Sequence, residues 1–447
     1  MHIEFLLDTF CARESCDAVV WKDQVYSYEW LVQSFSRIKG LLADESVRSG
    51  EVVAIESDFS PNSVAALLAL IDCGCIVVPL AGTSGQHKRE FLKLSQAEAL
   101  VELDSSDRIK IGRRSATASH DLYDSLNAKG HPGLVLFSSG STGKPKAAVH
   151  DFARLLEKYK TPRRDLRTLT FLLFDHIGGI DTLFYALSNG SCLITVRDRS
   201  PDSVCRAVDL HKVEVLPVSP TFLNLLILSG AHERFDMSSL KYVTYGTEVM
   251  PESTLRKCSE LFPGVTILQK YGTTEVGTLH SRSLNNDSVW VKLGGDGYKT
   301  RVVDGILHIK SRSSMLGYLN APSPFTDDGW FITGDRVELD GEFIRILGRD
   351  SDIINVGGEK VYPAEVEEVI HEVDGVTEVS VFGEQNAIMG NIVCARVRPS
   401  SEIDKRQLSL TIRKHCREKL ANHKVPVKIA FDDEKQHSER FKKMRAR

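Results

Sequence analysis

The chain lacks the cysteine spacing of a metal site or a disulfide framework. Its nine cysteines are scattered over 447 residues, and the closest two, Cys73 and Cys75, are separated by one residue. An odd number of cysteines without a secretory leader predicts reduced thiols in a cytoplasmic protein. The amino terminus supports this expectation, because acidic rather than basic residues accompany the short apolar patch in residues 1–8.

A strong charge of either sign and an uninterrupted apolar run are also missing. The formal net charge is −4 and the isoelectric point is about 6.4, which leaves no electrostatic footprint for nucleic acid. The candidate membrane span, residues 64–81, is interrupted by Asp72, Gly74 and Pro79. It therefore predicts a buried helix over 63–71 and a buried strand over 75–78. The expected partners are small molecules or proteins.

What is present is an alternation of helical and strand patterns, which predicts an α/β protein with parallel βαβ units. In the first 130 residues, a helix over 28–42 and a strand over 51–56 precede the 63–78 segment. Further strands are predicted over 134–137, 168–174, 192–196, 213–218, 242–245 and 266–269. Helices are predicted over 182–187 and, after the 213–218 strand, as far as residue 228. Residues 294–348 carry short strand patterns between Asp-Gly turns, which indicates an antiparallel subdomain.

The length favours more than one domain, and the pattern changes after Arg349. A helix opened by Pro363 is followed by strands over 378–382 and 392–397 and by a charged helix over 403–420. We predict an N-terminal domain of residues 1–349 and a C-terminal α+β domain of residues 350–447.

The most informative stretch is residues 137–146, Phe-Ser-Ser-Gly-Ser-Thr-Gly-Lys-Pro-Lys. Its hydroxyls, glycines and lysines can surround phosphate oxygens with N–H donors and positive charge. It is not a P-loop, because Ser138 replaces the first glycine and Pro145 follows the lysine. The candidate ATP-binding residues are Ser138, Ser139, Gly140, Ser141, Thr142, Gly143, Lys144 and Lys146. A flexible connector rich in glycine and serine is the alternative interpretation.

A glycine turn with two hydroxyls and a carboxylate follows the strand predicted over 266–269. Its sequence is Tyr-Gly-Thr-Thr-Glu-Val-Gly, residues 271–277. At the carboxyl end of a parallel strand these groups are well placed to bind phosphate and Mg²⁺ together. Glu275 would neutralise the ion and Thr274 would donate to a phosphoryl oxygen. A plain turn with a surface Glu is the alternative.

Two later motifs suggest sugar and chain contacts. Asp335, at the end of Gly-Trp-Phe-Ile-Thr-Gly-Asp, can accept hydrogen bonds from both hydroxyls of a ribose. Arg349, in Leu-Gly-Arg, can donate hydrogen bonds to the same sugar. Gly357 and Gly358 permit the close approach of another chain or ligand. A surface turn residue at 335 and a simple β-turn at 357–358 are the alternatives.

In this order, the motifs resemble the adenylate-forming (ANL) superfamily of acyl-CoA and aryl-CoA synthetases, adenylation domains of nonribosomal peptide synthetases, and firefly luciferase. The resemblance covers nearly the whole chain, because residues 27–31, 52–55, 65–70 and 78–80 are similar to the family's opening motifs. It implies a large N-terminal domain of mixed, mostly parallel sheets with helices and a small antiparallel, β-barrel-like subdomain. A mobile C-terminal α+β domain would follow.

The resemblance also implies a role for each matching residue. The 138–146 loop matches the segment that contacts the β- and γ-phosphates, and Thr274 and Glu275 match the contacts to the α-phosphate and magnesium. Further ATP contacts are implied for Tyr271, which would stack on adenine, Gly272, Thr273, Gly246, Asp335 and Arg349. The acyl pocket would involve Asp175, His176, Gly246 and Gly277. The thiol tunnel would involve Gly357 and Gly358.

Three positions depart from the family pattern or leave alternatives open. Lys442 matches the catalytic lysine of a Gly-Lys-x-x-Arg motif, with Phe441 in place of the glycine, and its spacing to Arg445 selects it over Lys443. Its ammonium would stabilise charge between the acid and the α-phosphate. Ser351 stands where relatives have a charged hinge residue. Asp175 would recognise a substrate amine or, alternatively, hydrogen-bond to backbone.

The implied function is a two-step ligase reaction. The carboxylate of an organic acid attacks the α-phosphate of MgATP, which releases pyrophosphate and leaves an acyl-adenylate. The small domain then rotates, and coenzyme A attacks the adenylate to give a thioester and AMP. The phosphopantetheine of a carrier protein, loaded with an acyl, aryl or amino acid, is the alternative acceptor. A nucleotide-binding homologue without turnover is a second alternative, suggested by Ser351 and Phe441. The sequence leaves the acid open, and the pocket walls are expected from residues 175–180, 219–223 and 244–249.

Overall fold

The alternating apolar patterns fold into two large sheets, a curled antiparallel sheet and a separate C-terminal sheet. The computed structural model describes residues 2–82, 85–139, 145–386, 389–400 and 403–432. In those ranges the helices are α1 (Glu4–Cys11), α2 (Tyr28–Asp44), α3 (Pro61–Asp72), α4 (Gly85–Leu94), α5 (Asp121–Lys129), α6 (Phe152–Leu156), α7 (Ile177–Ser188), α8 (Pro201–His211), α9 (Pro220–Ser229), α10 (Glu252–Leu261), α11 (Pro363–His371) and α12 (Lys405–Lys419).

The strands of the N-terminal part are β1 (Asp17–Trp21), β2 (Gln24–Ser27), β3 (Val52–Glu56), β4 (Ile76–Leu80), β5 (Ala99–Leu103), β6 (Ile109–Arg113), β7 (Gly133–Ser139), β8 (Pro145–Asp151), β9 (Thr168–Thr170), β10 (Leu193–Thr195), β11 (Val215–Val218), β12 (Tyr242–Tyr245) and β13 (Thr266–Gln269). Those that follow are β14 (Gly272–Thr273), β15 (Gly277–Thr278), β16 (His280–Ser283), β17 (Trp290–Gly294), β18 (Tyr298–Val303), β19 (Ile306–Ser311), β20 (Gly317–Tyr318), β21 (Phe331–Asp340), β22 (Phe343–Arg349), β23 (Ile354–Val356), β24 (Glu359–Val361), β25 (Val376–Asn386), β26 (Gly390–Pro399) and β27 (Lys428–Phe431).

Both large sheets have a parallel centre, with antiparallel strands at both edges of the first sheet and at the β2 edge of the second. One has the order β20-β8-β7-β4-β3-β5-β6, and the other has the order β13-β12-β11-β9-β10-β1-β2. Strands such as β3 and β4 are buried along almost their whole length, because helices cover both faces of a parallel sheet. This explains why they read as continuous apolar runs rather than alternating patterns.

Helix α3 lies in the main hydrophobic core together with residues of both large sheets. All but one of its first eleven residues are buried, so it lacks a polar face and is apolar all round. Ser60 and Ser63 form a capping box at its start, with Ser63 Oγ accepting from the Ser60 N–H at 2.8 Å. No helix in the described ranges is long and apolar enough to cross a membrane.

A six-stranded antiparallel sheet follows, in the order β16-β17-β22-β21-β19-β18, with its own small core around Val291, Ile309 and Phe331. Beyond it lies the C-terminal sheet, in which β24-β23-β26-β25 are antiparallel and β27 pairs parallel with β26. Helices α11 and α12 pack in the core of this sheet. The predicted fold class, α/β with an antiparallel subdomain and a C-terminal α+β domain, is confirmed. The domain boundary predicted after Arg349 falls between β22 and β23 and stays a prediction.

All nine cysteines lie in the described ranges and are free thiols. Cys11 and Cys16 are exposed, Cys73 is partly buried and the other six are buried. Burial raises the pKa of Cys192, Cys205 and Cys258 to about 12. Most of the thiols are therefore protonated at neutral pH.

Candidate active site

The carboxyl ends of β12 and β13 form the edge on which the predicted site is built. The two strands are parallel, with Tyr245 opposite Gln269, so the segments that follow them begin side by side. Lys270 donates its backbone N–H to the Tyr245 carbonyl at 2.7 Å. A side chain at Gly246 would place its Cβ 2.5 Å from the Lys270 carbonyl oxygen. The close approach of the two segments therefore requires glycine at position 246.

Tyr271, Asp335 and Arg349, three predicted nucleotide contacts, form one connected group. The Tyr271 hydroxyl donates to Asp335 Oδ2 at 2.5 Å. Arg349 lies opposite Asp335 in the ladder between β21 and β22, and its Nε is 3.4 Å from Asp335 Oδ1. Burial raises the pKa of the Asp335 carboxyl, against the opposing effect of Arg349. The antiparallel sheet thus brings a buried carboxylate and a guanidinium to Tyr271, two residues after the end of β13.

Glu275 is tied to the strands that carry the predicted phosphate loop. The Tyr318 hydroxyl donates to Glu275 Oε1 at 2.5 Å. Tyr318 lies in β20, which pairs with β8, and the Lys146 ammonium lies 5.2 Å from the centre of the Tyr318 ring. The charge of Glu275 also acts on Asp335 and raises its pKa further. The two carboxylates, Tyr318 and Lys146 therefore belong to one site.

The predicted phosphate loop connects β7 and β8. In this antiparallel pair Ser138 lies opposite Lys146, and Ser139 lies opposite Pro145. The backbone thus brings the two ends of the loop together on the strand that pairs with the Tyr318 segment. The remaining predicted residues of the loop, Gly140, Ser141, Thr142, Gly143 and Lys144, lie outside the described ranges.

The Thr274–Glu275 segment is the turn of a short hairpin formed by β14 and β15. Gly272 and Thr273 precede the turn, and Gly277 follows it with a φ of 78°. Thr273 Oγ1 is buried and has no hydrogen-bond partner in the described part of the chain. The turn therefore presents a carboxylate with an unsatisfied hydroxyl close by in sequence.

His176 caps the start of helix α7, where its Nδ1 accepts from the N–H of Gly178 at 3.0 Å. The segment before it is held by two residues from distant parts of the chain. Asp58 Oδ1 accepts from the Phe174 N–H at 3.3 Å, and Arg199 donates to Asp58 Oδ2 at 2.7 Å. Asp175 is buried in this segment. Asp58 and Arg199 therefore hold the segment that carries Asp175 and His176, two of the four residues predicted for the acyl pocket.

A small cavity of about 20 Å³ lies between the N-terminal part and the C-terminal sheet. Two of the three loops predicted for the acyl pocket contribute to it. Its lining residues are Pro220, Thr221, Asn224, Glu248, Val249, Pro251, His371, Glu378 and Val379.

The predicted residues of the C-terminal domain occupy turns. Gly357 and Gly358 form the tip of the β23–β24 hairpin, with φ values of 58° and 91°. Ser351 lies in a single 3₁₀ turn between β22 and β23, where its hydroxyl is 3.1 Å from Asp352 Oδ1. Lys442, the predicted catalytic lysine, lies outside the described ranges.

Sequence reasoning missed Tyr318, Asp58 and Arg199. None of them lies in a motif, and each reaches the site through a contact with a residue more than 40 positions away. Only the pairing of β20 with β8 and the packing of the two large sheets bring them there, and no local spacing signals it.

Comparison with known protein families gives two matches that together cover most of the chain. Residues 10–319 match the AMP-binding enzyme family, and residues 365–442 match the AMP-binding enzyme C-terminal domain. The chain belongs to the AMP-binding enzyme family, within the adenylate-forming (ANL) superfamily.

Its relatives include acid–CoA ligases of similar length. The indoleacetate–CoA ligase of Aromatoleum aromaticum is 28% identical over an alignment of 472 positions, covering 93% of this chain and 91% of the relative. The 2-succinylbenzoate–CoA ligase of Bacillus subtilis is 26% identical over 450 residues, covering 92% and 90%. The solved structure of the anthranilate CoA ligase AuaEII with anthranoyl-AMP superimposes with a TM-score of 0.84 at 19% identity, over 99% of this chain and 95% of that one. The expected class, an AMP-forming acid–thiol ligase, is confirmed.

Proposed function

We propose that this protein activates a carboxylic acid as an acyl-adenylate and transfers the acyl group to coenzyme A. The observation that carries the proposal is the connected group of Tyr271, Asp335, Arg349, Glu275 and Tyr318 beside the two ends of the phosphate loop. It joins a sugar-binding carboxylate, a metal-binding carboxylate and phosphate-binding backbone in one place.

The nucleotide roles follow from the chemistry of each group. The Asp335 carboxylate would accept the ribose hydroxyls, and Arg349 would add donors to the same sugar. The Tyr271 hydroxyl is already committed to Asp335, which fixes the ring for stacking on adenine. The 138–146 loop would supply N–H groups and positive charge to the β- and γ-phosphates.

Glu275 is suited to hold Mg²⁺. One of its oxygens accepts from Tyr318, which orients the carboxylate and leaves the other oxygen for the ion. Mg²⁺ in nucleotide enzymes commonly binds one or two carboxylates together with phosphate oxygens and water. The ion would neutralise charge on the phosphates during attack. Thr274, beside Glu275 in the turn, would donate to the α-phosphate.

Neither chemical step needs a nucleophile from the protein. The acid attacks the α-phosphate, and the thiol then attacks the activated carbonyl, so catalysis depends on positioning and charge neutralisation. Lys442 would stabilise the charge that develops between the acid and the α-phosphate. Ser351 is the proposed pivot for the C-terminal domain, which would bring Gly357 and Gly358 to the thiol tunnel.

The decisive experiment is ATP–pyrophosphate exchange with the full chain and a panel of acids. The panel contains benzoate, indole-3-acetate, 2-succinylbenzoate, octanoate and phenylalanine. We expect exchange with at least one acid, and formation of its CoA thioester and AMP when coenzyme A is added. Loading of a carrier protein without CoA thioester formation would favour the alternative acceptor, and no exchange with any acid would contradict the proposal.

Substitutions make this test specific. Glu275→Gln should lower the exchange rate by about a hundredfold, because it removes a charge that acts on the metal and the phosphates. Glu342→Gln is the matched control, since Glu342 is exposed and pairs with Lys292 on the antiparallel sheet. An equal effect of both substitutions would rule out the role of Glu275.

A further inference from the structure

A cluster of positive charge lies beside the predicted acyl pocket. This cationic cluster consists of Lys158, Arg163, Lys270 and His280, with the single carboxylate of Asp181. The Lys158 ammonium pairs with Asp181 Oδ1. The Tyr159 hydroxyl donates to the same oxygen at 2.6 Å. Asp181 is therefore already engaged by one cation and one hydroxyl.

Lys270 has no such partner. Among the described residues none forms a hydrogen bond or an ion pair with its ammonium. Burial lowers the pKa of this group. The charges that act on it are those of Asp181, Lys158 and Arg163, of which two repel it. The guanidinium of Arg163 contacts His280 Nε2 at 3.4 Å, and no carboxylate in the described ranges is within ion-pair distance of it. The cluster thus holds three cations against one carboxylate.

Three members of the cluster lie on or contact segments that carry residues predicted to line the acyl pocket. Lys270 follows β13, and its carbonyl is the atom that excludes a side chain at Gly246. Asp181 lies in α7, which begins after His176. The Lys158 ammonium also donates to the carbonyl of Thr278 at 3.3 Å, next to Gly277. The three parts of the pocket wall therefore converge on the cluster.

The cluster adjoins the nucleotide site at Lys270, but the charges that act on it are different. The charges of Glu275 and Arg349 act on Asp335, whereas neither Glu275 nor Asp335 is among the charges that act on Lys270. An unbalanced and partly buried positive charge is costly unless an anion accompanies it. Because the cluster adjoins residues of the predicted acyl pocket, the acid is the component placed to bring this anion.

Resting on the function proposed above, we infer that the acid activated by this protein carries a second anionic group, a carboxylate, which Lys270 and its neighbours bind beside the acyl pocket. The first carboxylate reacts with ATP, and the second forms charge-assisted hydrogen bonds to Lys270 and Arg163. The cluster is thereby a determinant of substrate specificity.

The test compares diacids with their own half-esters in ATP–pyrophosphate exchange. Aliphatic diacids from malonate to adipate, the three benzenedicarboxylates, phenylenediacetates and 2-succinylbenzoate cover a range of distances between the carboxylates. We expect at least one diacid to exceed its monomethyl ester in kcat/KM by tenfold or more. Half-esters and monocarboxylates that equal or exceed every diacid would overturn this inference while leaving the acid–CoA ligase function intact.

Variants identify the residues. Lys270→Gln should lower kcat/KM for the preferred diacid at least tenfold, change that of its half-ester less than threefold, and leave the KM for ATP unchanged. Lys270→Arg should restore most of the loss, and Arg163→Gln, at an exposed position, should give a smaller loss with little risk to folding. A rise in the KM for ATP without loss of diacid preference would assign the cluster to the nucleotide instead.

A binding measurement covers the case in which no acid supports exchange. Burial lowers the pKa of His280, and Arg163, Lys158 and Lys270 lower it further. A bound diacid should raise this pKa, measured from the His280 ring resonances by NMR titration, and the half-ester should not. Equal titration curves with and without every diacid would overturn the inference independently of turnover.

Discussion

At the scale of single residues, the orientation of Glu275 depends on a tyrosine that no motif marks. Tyr318 donates to Glu275 Oε1, and the pKa of its hydroxyl is raised by burial and then by the Glu275 charge. The hydroxyl therefore stays protonated and donates throughout the physiological pH range. Sequence motifs identify the carboxylate, whereas its hydrogen-bond donor comes from a strand 43 residues away.

Replacing Tyr318 by Phe tests this dependence. A hydrogen bond to a charged group contributes about 1.5–3 kcal/mol, so we expect the exchange rate to fall by roughly tenfold to a hundredfold. The loss should be accompanied by a higher Mg²⁺ requirement, measured by titrating the metal at fixed ATP. Tyr242→Phe, on β12, serves as the control and should change neither quantity. An unchanged Mg²⁺ dependence in Tyr318→Phe would contradict a role in orienting Glu275.

His150 provides a second prediction at this scale. Burial lowers its pKa from 6.5 to about 4, so the unfolded chain gains a proton at a higher pH than the folded protein does. The stability that neutral His150 contributes is present above pH 6.5 and is lost as the pH falls towards 4. The total is about 3 kcal/mol. Urea unfolding at several pH values should show this loss in the wild type and in the control His87→Gln, and a smaller one in His150→Leu. Equal slopes in all three would contradict it.

At the scale of elements, the positions of the strands follow from apolar runs, but their ends depend on side chains from elsewhere. The strand predicted over 168–174 ends at Thr170. Arg199 Nε donates to the Phe171 carbonyl at 2.6 Å, and Asp58 accepts from the Phe174 N–H. These backbone groups are bonded to side chains instead of a neighbouring strand, and no local pattern predicts that.

The start of helix α7 is another boundary that the sequence pattern does not predict. The pattern predicts a helix over 182–187, whereas the helix extends over Ile177–Ser188, because Gly178 and Gly179 read as loop residues. A Cβ at position 179 would lie 2.0 Å from the Leu173 carbonyl oxygen. The glycine is there for close packing, and His176 caps the first turn. Glycines that serve packing cannot be distinguished from glycines that end helices by sequence alone.

The edge formed by β12 and β13 gives a prediction for a whole element. Gly246→Ala would force the two parallel segments apart, since its Cβ would lie 2.5 Å from the Lys270 carbonyl. We expect a loss of about 1–3 kcal/mol in the free energy of unfolding and loss of most adenylation activity. Gly112→Ala in β6 is the matched control, because nothing lies within 4 Å of its added Cβ. Similar unfolding midpoints for the two variants would refute the steric argument.

At the scale of the whole molecule, hydrogen bonds in the described ranges join the C-terminal domain to the rest, among them those from Arg336 to Asp350 beside the domain boundary. Asn224 Nδ2 donates to the Thr377 carbonyl at 3.1 Å, and Glu368 Oε1 accepts from the Glu252 N–H at the start of α10 at 2.9 Å. Burial raises the pKa of Glu368. These directed contacts are polar, as expected for domains that change their relative position.

Substituting Glu368 by Ala should loosen this interface. We expect faster amide hydrogen exchange in residues 252–261 and 363–371, and an altered ratio of thioester formation to adenylation. Glu365→Ala is the matched control on the same helix, because Glu365 pairs with Lys424 within the C-terminal domain. Faster exchange in both variants would indicate a destabilised helix rather than a weakened domain contact.

Ordered motifs along the chain predict the family, the layers of the fold and the residues around the nucleotide. The assembly of those residues is less accessible, because Asp335 and Arg349 become neighbours only through the register of β21 and β22. The cationic cluster was not predicted at all. Its members are spread from Lys158 to His280, and a single lysine or arginine carries no signal until the fold brings the group together.

The burial of the thiols matters because an acyl-adenylate, a mixed anhydride of the acid and AMP, is open to attack by any reactive thiolate nearby. Thiolates, not thiols, are the reactive form, and the interior holds the pKa of Cys192, Cys205 and Cys258 near 12. Self-acylation of these side chains is thereby suppressed. The enzyme can transfer its activated acyl group to coenzyme A without acylating its own buried cysteines.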